Sequence, residues 1–174
     1  MAPAARSSVL IRLVDTLHLT ALGVWLGAVV MAGATAGVVF TRLRELDPSL
    51  PDYADYAGSP ADLAAGVVQN SVFFAADVVQ FAAAAIALAT IIASLLLGLP
   101  LRSWSGALRV IGLGATLGLA SYWLMVLGPQ MQTDLNTYWS AAQTGDQATA
   151  DAALAAFDTQ HATARTTLTG IAAS

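Results

Sequence analysis

Apolar positions dominate long stretches of this chain and polar positions interrupt them in only a few places. Leu19 to Phe40 is 22 residues without a charge, Val78 to Leu101 is 24, and Val110 to Thr133 is 24. A bilayer core of about 30 Å needs about 20 mostly apolar helical residues, so each stretch is long enough to cross one. Charge bounds them: Arg42 and Arg44, then Arg102, then Asp134. The second span starts earlier, near Asp62, because Leu63 to Ala76 is also uncharged. That gives a long helix with Asp77 near its middle.

The segment from Ala148 to Ser174 reads differently. Asp151, Asp158, His161 and Arg165 lie inside it, and no window is apolar enough to insert alone. Yet Leu154, Phe157, His161, Ala164, Leu168 and Ile171 recur at 3-4-3-4-3 spacing, which lines them along one helix face. The pattern predicts a fourth bundle helix that depends on its neighbours; the competing reading is an amphipathic helix lying on the membrane. The expected fold class is all-α, an integral membrane four-helix bundle in one domain spanning 1–174. Its helices are expected at about 8–41, 62–99, 104–142 with a bend near Pro129, and 148–173.

Composition narrows the function. Hydrophobic residues make up 57% and charged residues 10%, against roughly 25% charged in soluble domains, which argues against a freely diffusing enzyme. There is no cysteine, so disulfides, thiolate metal sites and iron–sulfur clusters are excluded. Every basic residue is arginine and the net charge is -4, a poor match for nucleic acid. Arg6, Arg12, Arg102 and Arg109 flank one side of the spans and only Arg42 and Arg44 the other, among several acids. The positive-inside rule then puts both termini in the cytoplasm and the acidic 41–60 loop outside, in a bacterial inner membrane. The Ala34-Thr35-Ala36 run looks like a signal-peptidase site, but the apolar stretch before it is longer than a signal core, so it is read as a signal anchor and first span.

Polar groups at membrane depth are costly and face the bundle interior, so they are the candidates for chemistry. On the first helix Asp15, His18, Leu22, Trp25 and Val29 share a face. On the second Gln69, Asn70, Asp77 and Gln80 form a seam. The third offers Arg109, Thr116, Tyr122 and Trp123, and the fourth Asp158, His161 and Arg165. Depth counted from the chain ends puts His18 and His161 about 15–20 Å from the same side. If the first and fourth helices are neighbours, Asp15 can pair with Arg165 and His18 can approach His161.

Three readings follow. The polar network Asp15, His18, Asn70, Asp77, His161 and Arg165 can be structural and fix helix register. His18 and His161 can ligate a haem b iron axially. Asp77 can belong to a proton or ion path. Gly23, Gly27, Gly33 and Gly37 in the first span, and Gly112, Gly114 and Gly118 in the third, are expected to allow close helix approach, with Trp25 packed among them. No P-loop, HExxH or nucleophile elbow is present, so no catalytic residue is assigned.

Leu17-His18-Leu19 followed by Val24-Trp25-Leu26-Gly27 resembles the first helix of the transmembrane protein 205-like family of small four-helix membrane proteins. Leu127-Gly128-Pro129 at the end of the third span is similar, as is Phe157-Asp158-Thr159-Gln160-His161 followed by Thr163, Thr166 and Thr167. The chain departs from that pattern at Ala34-Thr35-Ala36, where a proline is usual, and in the last helix, which carries Arg165 instead of a long apolar tail. The resemblance implies a fold and a membrane location, carries over no activity, and singles out His18, Trp25, Pro129 and His161. The expected role is an accessory, scaffold or interaction protein in the lipid bilayer, acting with a membrane-protein partner or as a homo-oligomer.

Overall fold

The computed structural model describes residues 3–98 and 104–173. Arg102, expected in the turn between the second and third spans, lies outside the described residues, as do the side chains of Arg6, Arg109, Leu168 and Ile171. The described residues are helical almost throughout, with no strand among them. α1 runs Pro3–Leu46, α2 Pro60–Leu96, α3 Trp104–Tyr122, α4 Gly128–Thr144 and α5 Gln147–Ala173. A five-residue π turn, Trp123–Leu127, joins α3 to α4, so the two form one interrupted helix. Three helical segments, Val9–Leu46, Pro60–Leu96 and Gly106–Thr144, are long and apolar enough to cross a membrane. Each has 37 residues or more, so at 1.5 Å per residue each exceeds the roughly 30 Å hydrocarbon core by many residues.

Local chemistry sets the ends. α1 stops at Asp47, a non-glycine residue at φ 45° whose N–H bonds the Leu43 carbonyl; Asp is among the few residues that enter the left-handed region readily. The Ser59 side chain accepts the Asp62 N–H at 3.2 Å, and Pro60 fills the first helical position, where no donor is needed. α4 ends in a Schellman motif: Gly145 at φ 72°, the Asp146 N–H on the Ala141 carbonyl and the Gly145 N–H on the Ala142 carbonyl. Asp146 then caps α5, its carboxylate accepting both the N–H and the hydroxyl of Thr149. One residue pair thus ends one helix and starts the next.

α1 and α2 form an antiparallel hairpin with the most extensive contact in the molecule, and α4 and α5 form the second. The hairpin closes over small residues: Ala21, Ala32, Ala83, Ala84 and Ala87 are all buried. α3 meets this seam at Leu113, beside Trp25. A separate cluster lies at the far end, where Leu63, Tyr138, Ala142 and Ala150 pack with Tyr53 and Tyr56 of the 47–59 loop. There the Tyr56 and Tyr138 hydroxyls share a 2.8 Å hydrogen bond, and Arg44 pairs with Asp62 at 2.6 Å.

The polarity of the long helices is inverted relative to a water-soluble bundle. Leu19, Phe74, Met125 and Leu96 are 64–84% exposed, whereas His18, Gln69, Thr90 and Thr116 are buried. Water would penalise that arrangement, and hydrocarbon favours it.

Candidate functional site: a carboxylate in an apolar cleft

A chain of polar side chains crosses the molecule at the level of the π turn. The Trp25 indole on α1 donates to Gln80 Oε1 at 3.1 Å. Gln80 Nε2 donates to Asp77 Oδ1 at 3.3 Å, one turn away on α2. The Trp123 indole donates to Asp77 Oδ2 at 3.1 Å from the far side. Asp77 is therefore held between α1–α2 and the start of the π turn.

The π turn has a local cause. Proline has no N–H, and its ring clashes with the carbonyl four residues back in a regular helix. Pro129 would meet Met125 in that way. The wider turn avoids the clash, with the Gly128 N–H bonding the Trp123 carbonyl five residues earlier. Gly128 is needed for the close approach, since a Cβ there would sit 3.0 Å from the Trp123 oxygen. The bend expected at Pro129 is thus an inserted residue in the turn before it, and the insertion re-aims Trp123. The sequence places Asp77 and Gln80 in one seam and Trp25 and Trp123 on their helices. It does not show that they form one chain; the Gly128-Pro129 pair is the only signal that pointed there.

Between α2 and α3 lies a cleft of about 210 Å³ with Asp77 in its lining. Trp25, Trp123, Phe81, Leu117 and Leu124 line it as well, with Gln80 and Ser121 as its other polar side chains. Phe81 and Leu124 are exposed, so the cleft opens sideways on the apolar surface of the spans. A second depression, lined by Thr133, Thr137 and Ser140, is shallow and lies on the α4 surface.

The other expected residues fall elsewhere. His18 is buried, and its Nδ1 lies 2.9 Å from Thr90 Oγ1. Asp15 and Asn70 are partly buried on α1 and α2. His161 is exposed, one turn from Phe157, whose ring lies 5.6 Å away centre to centre. Arg165 is exposed on the next turn. Helix register separates the two histidines. Asp77 meets Trp123 and Ala87 clusters with Leu113, so His18, opposite Thr90, lies near the level of residue 110. Gln160 donates to Asp134 and Ala164 packs on Met131, which puts His161 near residue 131. Some 20 residues at 1.5 Å place the histidines about 30 Å apart along the bundle. Two axial ligands must face one iron, so this pair does not fit a haem, and Asp15 and Arg165 are separated for the same reason. The sequence reading measured depth for the last helix from the chain end. In the fold α5 is registered instead by its hairpin with α4.

The glycines also depart from expectation. Gly23, Gly27, Gly33, Gly37, Gly114 and Gly118 have no described residue within 4 Å of where a Cβ would stand, so they do not serve packing among the described residues. Alanines carry that packing instead, together with Trp25.

The fold and site define an all-helical protein with three helices of membrane-spanning length and one acidic side chain set among aromatic and aliphatic groups. No family model matches the chain, and no curated protein or solved structure matches it either, so its function rests on this geometry.

Proposed function

We propose that the chain is an integral protein of a bacterial inner membrane that works through helix–helix contact within the bilayer and carries no catalytic activity of its own. One observation carries this reading: the direction in which α1 faces. At 100° per residue, His18, Ala21, Trp25 and Ala32 cluster on one side of α1, the side packed against α2. Gly23, Gly27, Gly33 and Gly37 centre about 150° away from it by the same helical geometry. They form two glycine pairs at four-residue spacing, Gly23 with Gly27 and Gly33 with Gly37, and no described residue comes within 4 Å of where a Cβ would stand on any of them. In lipid, where apolar side chains gain nothing by leaving the tails, such spacing is the usual seat of close helix contact. The resemblance to the transmembrane protein 205-like family belongs to the same reading. So does the arginine bias, which puts the Tyr56–Tyr138 end outside and both termini in the cytoplasm.

Two experiments test it. Alkaline carbonate extraction should leave the protein in the membrane pellet, and release into the supernatant would overturn the membrane placement. A photoreactive amino acid at position 27 should give a discrete protein adduct in membranes, lost when Gly23 and Gly33 are both changed to Leu. Lipid adducts alone at position 27, matching those from position 74, would refute the interaction role.

A further inference from the structure

We propose that the Asp77 cleft binds a small lipophilic organic cation, taken up sideways from the bilayer, with Asp77 as its counter-ion. The proposal rests on the membrane placement above, because only there is the cleft cut off from bulk water.

The hydrogen-bond directions set what the carboxyl is offered. An indole N–H can only donate. Trp25 therefore forces Gln80 to turn its oxygen toward α1, so the amide NH₂ faces Asp77. Oδ1 must accept from it, and Oδ2 must accept from the Trp123 indole. Both oxygens are thus met by donors, which favours the ionised carboxylate. A protonated carboxyl would have to place its proton outside both contacts.

Among the described residues no cationic side chain bonds this carboxylate. Its hydrogen-bond partners, Gln80 and Trp123, are neutral, and the ion pairs among the described residues, Arg42–Glu45 and Arg44–Asp62, lie in the last turn of α1 and at the start of α2. An uncompensated charge in a low-dielectric setting is costly. The structure leaves a cleft beside it, so the compensating charge can come from a ligand.

The walls select the kind of cation. A bare metal ion needs several oxygen ligands, and no group of three or more His, Asp or Glu side chains capable of holding one is found among the described residues. The cleft offers instead two indoles, a phenyl ring and aliphatic side chains around one carboxylate, with the Gln80 amide and the Ser121 hydroxyl beside it. Aromatic rings attract organic ammonium groups and their apolar surroundings accept the attached carbon. A volume of about 210 Å³ is below the roughly 300–1,000 Å³ of drug-sized sites, which limits the ligand to a small ammonium compound. Exposed Phe81 and Leu124 at the mouth give it an apolar route of entry.

The test uses full-length protein in lipid nanodiscs, titrated with benzyltrimethylammonium while tryptophan fluorescence is followed. The neutral comparator is neopentylbenzene, which has the same shape with carbon in place of nitrogen. Saturable quenching by the cation, at least tenfold weaker binding of the neutral compound, and at least a tenfold loss of cation affinity in Asp77→Asn support the proposal. Asp77→Glu should recover part of that loss, which guards against an unfolded Asn variant, and circular dichroism checks the helix content of both. Equal affinity for the two compounds, or unchanged affinity in Asp77→Asn, would make the cleft an apolar pocket and overturn the proposal. No saturable binding of the cation by folded, nanodisc-embedded protein would overturn it too, leaving a proton as the partner of Asp77. Failure of the chain to enter nanodiscs is a separate result, and it counts against the membrane placement.

Discussion

Replacing Thr90 with valine isolates one buried hydrogen bond with almost no change in shape. The Thr90 hydroxyl donates its only proton to the Ala87 carbonyl at 2.7 Å. Its oxygen can therefore only accept from His18, whose Nδ1 lies 2.9 Å away, so His18 carries a proton on Nδ1. Threonine to valine removes both the acceptor and the back-bond and leaves a methyl group of similar size in a well-packed seam. The buried His18 N–H then faces carbon. A buried donor left unsatisfied costs about 1–3 kcal/mol. Side-chain hydrogen bonds between membrane helices average about 0.6 kcal/mol and reach about 1.7, because the separated helices find other partners. Thr90→Val is therefore expected to destabilise the protein by about 1–2 kcal/mol within those bounds. Thr90→Ser should stay within about 0.5 kcal/mol of wild type, since it keeps the hydroxyl. Steric-trap or denaturant unfolding in micelles measures the difference, and ¹⁵N spectra of labelled histidine report the proton position on His18. The reasoning fails if Thr90→Val is as stable as Thr90→Ser, or if wild-type His18 carries no proton on Nδ1.

Four further changes probe the far end of the molecule. Gly145→Ala places a Cβ at φ 72° and 3.1 Å from Asp55 Cβ, so a loss of about 1–2 kcal/mol is expected in thermal unfolding; an unchanged Tm would contradict the Schellman turn. Gly58→Ala would drive its new methyl into the Tyr56 ring and should break the Tyr56–Tyr138 hydrogen bond. Tyr56→Phe is then expected to add little further loss on top of it, and additive losses would show the two act independently. Asp146 is held below its ordinary value of 3.8, first by the Thr149 hydroxyl and then by the Thr149 N–H. Its folded value is depressed, so its stabilisation of the α5 start is present above about 3.8 and disappears as pH falls through the folded value. A carboxyl titration by NMR should give a midpoint under 3.8 for Asp146, and Asp146→Asn should remove the acid fraying of α5; a midpoint at or above 3.8 would exclude the cap.

The membrane length of three helices and the all-helical class were legible in the sequence, because both depend on local quantities. Runs of more than 20 uncharged residues and 3-4 spacing do not need to know what packs on them. The elements expected at 8–41, 62–99, 104–142 and 148–173 stand at 3–46, 60–96, 104–144 and 147–173, with the ends set by Asp47, Ser59 and the Gly145-Asp146 pair. Inward placement of His18 and Trp25 also followed from their shared face on α1.

What tertiary structure alone decided is register and facing. A helix shows which residues share a side but not which partner that side meets, nor how far neighbours slide past each other. The α4–α5 hairpin sets the slide of the last helix, and it carries His161 and Arg165 about 30 Å from His18 and Asp15. Alanines took the α1–α2 seam and left the glycines of α1 facing outward, a choice between two small-residue faces that composition cannot rank. The Trp25–Gln80–Asp77–Trp123 chain has the same origin. Trp123 and Asp77 are 46 positions apart, and only a proline-driven extra residue in one turn, set against the depth of α2, brings an indole N–H onto that carboxylate.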